Sequence, residues 1–356
     1  MKKFVILLFS LFINRTLCKS WIIKSRFVLF LKKKHKHRLA MMATFLDLIQ
    51  QSPKGSILKE IEELIDWSRI DQKLKHLMLS GKMGRPSYAP LKMFKILLLQ
   101  RLYDLSDPEM EHQLYDRLSF RSFCGFGMAD SLPDETTICR FRNGILGKVE
   151  TLFNLVLDQL EQKGLLLRKG TLVDATIIKA NVKNPSGGTQ SEVDPQAGWT
   201  KKNDTYTYGY KAHVGVDEES GLVVKAVITS ADFHDSQVIH HVVSGEEQAV
   251  YADKAYDSRA IRELLQENGI KDRILYKKSK GKDLQPRKKL LNKLYSKVRC
   301  GVERVFAHWK GQHGYTKARY RGWDKNQLHL DLLCMVYNIK RACSILKKQN
   351  LMVNCV

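Results

Sequence analysis

The sequence has no Cys-x-x-Cys pair, and its seven cysteines, at 18, 124, 139, 300, 334, 343 and 355, are odd in number and widely spaced. That pattern supports neither a zinc module nor a disulfide framework, and leaves buried free thiols in a reducing compartment. No internal repeat is visible, which excludes a solenoid or a repeat array. No apolar run is long enough for a membrane helix, which takes roughly 20 residues. Acidic residues are missing from positions 1–40, which hold 11 basic ones. They are scarce again from Lys271 to Arg321, where 17 basic residues meet only Asp272, Asp283 and Glu303.

What is there is a chain of 356 residues, 44% hydrophobic, with 60 Lys+Arg against 37 Asp+Glu and a formal net charge of +23. The length suits one large or two ordinary domains, and the apolar content argues against disorder. The two acid-poor stretches carry the whole basic excess, which points to a polyanionic partner such as nucleic acid. The first stretch opens Met-Lys-Lys and runs apolar from Phe4 to Ile13, the outline of a secretory signal. No small-x-small cleavage site follows, and Asn14, Arg15, Lys19, Lys24 and Arg26 interrupt the apolar pattern. The composition breaks at Met41 and Met42. The expectation is therefore that 1–41 is a leader or non-native segment and that translation starts at one of these methionines; a membrane-surface anchor or an export signal are the alternatives.

From 42 to 165 the pattern is helical, with Leu46, Ile49, Ile57, Ile61, Leu64 and Ile65 at helical spacing and a break at Gly81–Pro86. Pro90 opens an apolar helix, and Ser106 with Glu109 fits a capping box. Asp134 opens a further helix that runs into Arg140 and Arg142. Short helices with tight turns and exposed arginines suit a DNA-binding module, although helical bundles in general look alike. From Gly170 the period changes. Thr171–Ala180 reads as a strand, 184–205 as a turn-rich loop, and Tyr208–Asp217 with Leu222–Ser230 as a hairpin. A short helix at Ser236–Val243, a buried strand at Gln248–Ala252, a helix at Ser258–Asn268, a strand at Arg273–Tyr276 and a basic helix or helix pair over Lys288–Lys310 follow. That order predicts an α/β fold, a mixed sheet with flanking helices over 166–346, after an all-α domain over 42–165 and before a tail at 347–356.

Three acids stand out in this order. Asp174 lies in the first strand, Asp253 just past a later one, and Glu303 in the basic helix, the only acid between Asp283 and Asp324. Strand-borne carboxylates are costly to bury unless paired or bound to a cation, and hard oxygen donors suit Mg²⁺ or Mn²⁺. Two such ions can activate a hydroxyl and stabilise the leaving oxygen of a phosphodiester. On a helix, Arg299 and Lys310 share a face with Glu303, as they would if phosphates lay along it. An Arg299–Glu303 salt bridge is the bland alternative. Lys254 either approaches DNA phosphate or is solvated; Asp217 reads as structural, Asp257 as a cap with Ser258, and Trp309 as core.

Several blocks in order carry a resemblance. They are Arg85-Pro86-Ser87-Tyr88, Leu105–Glu111, Leu132–Arg142, Val173-Asp174-Ala175-Thr176, Tyr208–Asp217, Ala252-Asp253-Lys254-Ala255-Tyr256 and Val302-Glu303-Arg304-Val305-Phe306. With these the chain resembles bacterial insertion-sequence transposases of the DDE type, most like the group conventionally numbered five, over about Leu46–Leu346. The resemblance implies an RNase H-like catalytic fold with Asp174, Asp253 and Glu303 as a metal triad holding two Mg²⁺ or Mn²⁺ ions. It also implies binding of terminal inverted repeats and target DNA, a homodimer in the active complex, no small-molecule cofactor, and a cytoplasmic, nucleoid-associated location. Arg299, Glu303 and Lys310 match the spacing of a Tyr-x2-Arg-x3-Glu-x6-Lys signature; the tyrosine position is Ser296, and Tyr295 stands one residue early. Phe233-His234-Asp235-Ser236 resembles a further block, read as support around the site. The expected DNA contacts are Arg299, Lys310, Lys254, Arg140 and Arg142. A catalytically silent DNA-binding relative and a structure-specific nuclease of the same fold are the rival readings.

Overall fold

The computed structural model describes residues 56–77, 88–202, 204–278, 281 and 283–353. The expected leader over 1–41, the early helical pattern at Leu46 and Ile49 and the break at Gly81–Pro86 lie outside them.

Among the described residues seven helices come first: α1 (Ile57–Leu64), α2 (Trp67–Leu77), α3 (Pro90–Leu102), α4 (Asp107–Asp116), α5 (Leu118–Cys124), α6 (Glu135–Gly144) and α7 (Val149–Gln162). Their starts follow local chemistry. Pro90 sits in the first turn of α3, where its missing N–H costs nothing. At α4 the Ser106 hydroxyl accepts from the Glu109 N–H while the Glu109 carboxylate accepts from the Ser106 N–H, the expected capping box. Asp134 caps α6 by accepting from the Thr137 N–H at 2.7 Å.

The second half contains β1 (Thr171–Lys179), β2 (Gly198–Lys202), β3 (Thr205–Asp217), β4 (Val223–Ser230), α8 (Ile239–Val242), β5 (Ala249–Ala252), α9 (Arg259–Glu267), β6 (Lys271–Asp272), α10 (Pro286–Arg299), α11 (Glu303–Gln312) and α12 (Trp323–Val353). β1, β3 and β4 form an antiparallel meander, and β5 and β6 continue the sheet parallel to β1 on its other side. The order β4-β3-β1-β5-β6, three antiparallel strands then two parallel ones, is RNase H-like. The extra strand β2 pairs with the start of β3, inside the stretch that reads as a loop in sequence. The expected strand at Arg273–Tyr276 runs beside β5, with the Arg273 and Leu275 N–H groups donating to the Val250 and Ala252 carbonyls. The paired residues of β6 are Lys271 and Asp272, earlier than expected. The basic segment is a helix pair, α10 and α11, joined by a short 3-10 turn at Cys300–Val302.

The two sheet faces differ. Leu172, Ile178, Ala249 and Tyr251 belong to the large core, whereas Val173, Val250 and Ala252 belong to a smaller one with Ile239, Val242, Tyr256 and Ile261. This is the two-residue alternation of a strand buried on both sides. The large core is shared with the helical half, because α12 packs on β4, α7, α3 and α1. α12 runs unbroken to Val353, so no separate tail begins at 347, and Lys347 pairs with Glu60 of α1 at 2.7 Å. Trp309 of α11 is fully buried in this core, as expected, and its loss to alanine would cost about 3–5 kcal/mol. Among the described residues no helix is long and apolar enough to cross a membrane.

Candidate active site

The parallel pairing of β1 with β5 ends at Val173 opposite Ala252. The next residue on each chain is an acid, Asp174 and Asp253, so the ladder itself sets the two side by side. Both continue the alternation of Leu172 and Tyr251, which lie on the large-core face. That face is the one covered by Val302 of the turn before α11 and by Val305 and Trp309 of α11. Two residues far apart in sequence are thus placed on one side of the sheet by strand register alone.

Glu303 reaches the same face through the turn between α10 and α11. Gly301 marks how closely the turn approaches β1: a Cβ there would stand 2.9 Å from Leu172 Cδ1, so that side chain would have to shift. With the turn held against β1, Arg299 at the end of α10 points at Asp174, and its Nη1 donates to Asp174 Oδ2 at 2.6 Å. The other fork nitrogen, Nη2, lies 3.7 Å from Glu303 Oε1. Asp174 Oδ1 accepts from the Ala175 N–H at 2.8 Å, and Asp253 Oδ1 from the Lys254 N–H at 2.7 Å. The Glu303 side chain is 63% exposed against 23% for Asp174. At that exposure the Arg299–Glu303 contact contributes about 0.5 kcal/mol or less.

Burial pushes the Asp174 carboxyl above the usual carboxylate range; the Ala175 N–H and Arg299 oppose the shift, and the charge of Asp253 adds to it. A desolvated carboxylate beside a second one is a site that favours a bound cation, and its oxygen donors fit a hard divalent ion. Among the described residues, however, no three His, Cys, Asp or Glu side chains stand close enough together to hold an ion. Asp174 and Asp253 are brought together; the Arg299 guanidinium lies between Asp174 and Glu303.

Behind the acids lies a polar layer on the smaller core. The turn at Asp235–Gln237 packs on the turn at Lys254–Tyr256, whose first cap is Asp253. Asp235 pairs with Lys211 at 3.0 Å. His213 is fully buried, its Nε2 2.9 Å from Thr229 Oγ1, and burial lowers its pKa to about 4, so it is neutral at pH 7. The Tyr256 hydroxyl and His213 Nδ1 are buried without a partner among the described residues. Sequence reading placed Asp235 near the site but missed Tyr256. Its position three residues after Asp253, closing the same turn, is the signal that could have found it. His234 is exposed and, among the described residues, bonds only Ser236.

The expected DNA contacts divide. Arg140, Lys254 and Lys310 are exposed, and none has a carboxylate within ion-pair reach among the described residues. Lys310 lies on α11 with Glu303, and partial burial together with the charge of Lys202 lowers its pKa. Arg299 is not a free cation but the bridge between acids. Arg142 is a correction: it is buried, and its fork donates to both oxygens of Asp107 at 2.6 and 2.7 Å. Ile138, one turn earlier on the same face, is fully buried, so that face of α6 points inward. Tyr295 packs edge-on against Tyr251 at 6.0 Å between ring centroids, a core contact. Asp217 accepts from Arg168 and Ser220 in its turn, as a structural acid does. Ser258 caps α9 alone, while Asp257 pairs with Arg262 at 2.9 Å.

Comparison with known proteins bears on both halves. Residues 46–144 match a family model described as Transposase domain (DUF772), and residues 166–339 match one described as Transposase DDE domain. Among solved structures, the chain is similar to a piggyBac transposase in a synaptic complex with hairpin DNA. That likeness has 10% identity and a TM-score of 0.40 over 80% of this chain and 72% of the other. It is also similar to a Mos1 transposase in a paired-end complex with the left transposon end, at 11% identity and a TM-score of 0.19 over 68% and 83% of the two chains. With both halves claimed by transposase domains, helical first and catalytic second, the chain belongs to the DDE transposases.

Proposed function

We propose that this DNA transposase binds the terminal inverted repeats of an insertion sequence, cuts the strands at its ends and joins the freed 3′-hydroxyls to target DNA. The observation that carries the reading is the placement of Asp174 and Asp253 side by side at the end of the β1–β5 ladder, on the face covered by α11. Asp174, Asp253 and Glu303 would hold two Mg²⁺ or Mn²⁺ ions. Bound there, such ions lower the pKa of an attacking water or hydroxyl and stabilise the leaving oxygen. Asp174 and Asp253 serve the nucleophile side, and Glu303, on the separate helix, the leaving-group side. Lys310, Lys254 and Arg140 supply cations for backbone phosphates. The blocks quoted above favour the insertion-sequence group numbered five. Holding two ends at once calls for at least two copies, so the active complex is a homodimer working in the cytoplasm at the nucleoid.

The test is strand cleavage and strand transfer on a duplex carrying the repeats that flank the gene. Asp174→Asn, Asp253→Asn and Glu303→Gln should each abolish both reactions while leaving the end-bound complex intact. A variant that still cuts removes its residue from the triad. Binding of the ends with no cleavage by the wild type in Mg²⁺ or Mn²⁺ would favour a silent relative, and cleavage without joining a nuclease.

A further inference from the structure

Arg299 stands where its charge is most needed when no divalent ion is present. One nitrogen of its fork holds Asp174 at 2.6 Å and the other faces Glu303 at 3.7 Å. The guanidinium is largely buried, with its Nε unpartnered among the described residues, while Glu303 beyond it is open to solvent. The cation therefore lies between an acid of the sheet and an acid of the helix, in the gap the two must close to share a ligand. A divalent ion taking Asp174 competes with Arg299 for the same carboxylate. Two like charges cannot occupy that gap together, so the guanidinium has to leave. Its only tether is the end of α10, whose exposed side carries Lys289, Lys293 and Lys297. Among the described residues the acid paired on that side is Asp283, ahead of α10 and already held by Lys278 and Lys289, so an incoming backbone phosphate is the anion that would receive a displaced guanidinium.

We propose that Arg299 is an internal counter-ion that holds the acids before metal arrives and passes to a DNA phosphate when metal binds. Binding of metal and binding of DNA then help each other. Without DNA, metal must displace Arg299 into solvent; without metal, DNA must take Arg299 from Asp174. Each ligand removes the obstacle to the other, and the gain is the same in both directions. This rests on the reading that Asp174 belongs to a metal site.

The experiment measures Mn²⁺ bound to the full chain by the electron paramagnetic resonance signal of free Mn²⁺, with and without a short non-specific duplex at low salt. In the wild type, DNA should tighten Mn²⁺ binding by about fivefold or more. Arg299→Gln should bind Mn²⁺ more tightly than the wild type in the absence of DNA, and DNA should add nothing further. Arg299→Lys, which keeps the charge, should restore most of the coupling. Unchanged coupling in Arg299→Gln, or weaker Mn²⁺ binding without DNA, overturns the role given to Arg299. Asp174→Asn keeps that outcome separate from failure of the metal site: if it binds Mn²⁺ as the wild type does, the site itself is misplaced.

Discussion

Two arginine–carboxylate clusters in this molecule use the same parts to opposite ends. In the helical half, Asp107 takes both forks of Arg142 and the Gln100 amide, so each of its oxygens is spoken for. Nearby, Arg319 bonds Asp104 and the Leu105 carbonyl, and the buried Arg101 bonds His329. In the catalytic half, Arg299 holds Asp174 by one nitrogen, faces Glu303 loosely, and leaves Asp253 to its own turn. The acids respond in opposite directions. Burial works against ionisation of Asp107, but hydrogen bonds from Arg142 and Gln100 outweigh it and hold the carboxyl below its usual range. Burial wins at Asp174, and its carboxyl is pushed up. A saturated cluster locks α4 to α6; an unsaturated one leaves carboxylate charge to be met by something else.

The largest difference to look for is in chemistry. Asp174→Asn and Asp253→Asn should lose detectable strand cleavage and keep the fold, whereas Asp107→Asn should keep cleavage in whatever fraction folds. End-cleavage assays beside circular dichroism read both. Cleavage lost in Asp107→Asn at full folded content would break the distinction between the clusters.

Next comes stability. Arg142→Ala strands a partly buried carboxylate and should cost about 3 kcal/mol. Arg299→Ala should cost clearly less, because Glu303 is solvated and Asp174 keeps the Ala175 N–H. Urea midpoints compare the two, and equal losses would mean that the catalytic cluster is as closed as the helical one.

A smaller and more telling effect is the sign of the acids' contribution with pH. The Asp107 pKa is depressed below 3.8, so its ionised form stabilises the fold above that pH, and the benefit goes as pH falls through the folded value. The Asp174 pKa is raised above 3.8, so the folded state binds its proton more readily and stability falls as pH rises through the folded value. At pH 7, Asp107→Asn should therefore lower the unfolding midpoint and Asp174→Asn raise it. A lowered midpoint in both would show that Arg299 satisfies Asp174 as fully as Arg142 satisfies Asp107.

These clusters also show what could be read in sequence. Asp174 and Asp253 were legible because each follows a run of apolar strand residues, Asp174 within β1 and Asp253 just past β5, and a parallel ladder then sets such acids together. The pair α10 and α11 and the capping box at Ser106 were legible for the same local reasons. β2 was not, because its Gly198–Lys202 follows turn residues and pairs only with the overhanging start of β3. Arg142 was misread as an exposed cation because its partner lies 35 residues earlier, and no local rule reports such a pairing. Only the buried Ile138 one turn before it hinted at an inward face. Arg299 was recognised as important, but whether a cation faces solvent, phosphate or acid is decided by how the helix pair seats against β1, which sets Arg299 on Asp174.

The smallest effects test the cations that belong to neither cluster. Arg140, Lys254 and Lys310 are exposed and have no acid within ion-pair reach among the described residues. Each phosphate contact adds about 0.9 to the slope of log binding constant against log salt. Replacing one of these residues by alanine should flatten the slope by about that amount and weaken binding uniformly across sequences, as loss of a backbone contact does. Arg142→Ala should leave the slope of the folded protein alone, because its charge is already committed to Asp107. Lys254 is the sharpest case. It is exposed and follows Asp253 directly, so a phosphate at the acids would lie within its reach. A slope unchanged in Lys254→Ala would make it a solvated lysine and move the DNA path toward α11 and Lys310.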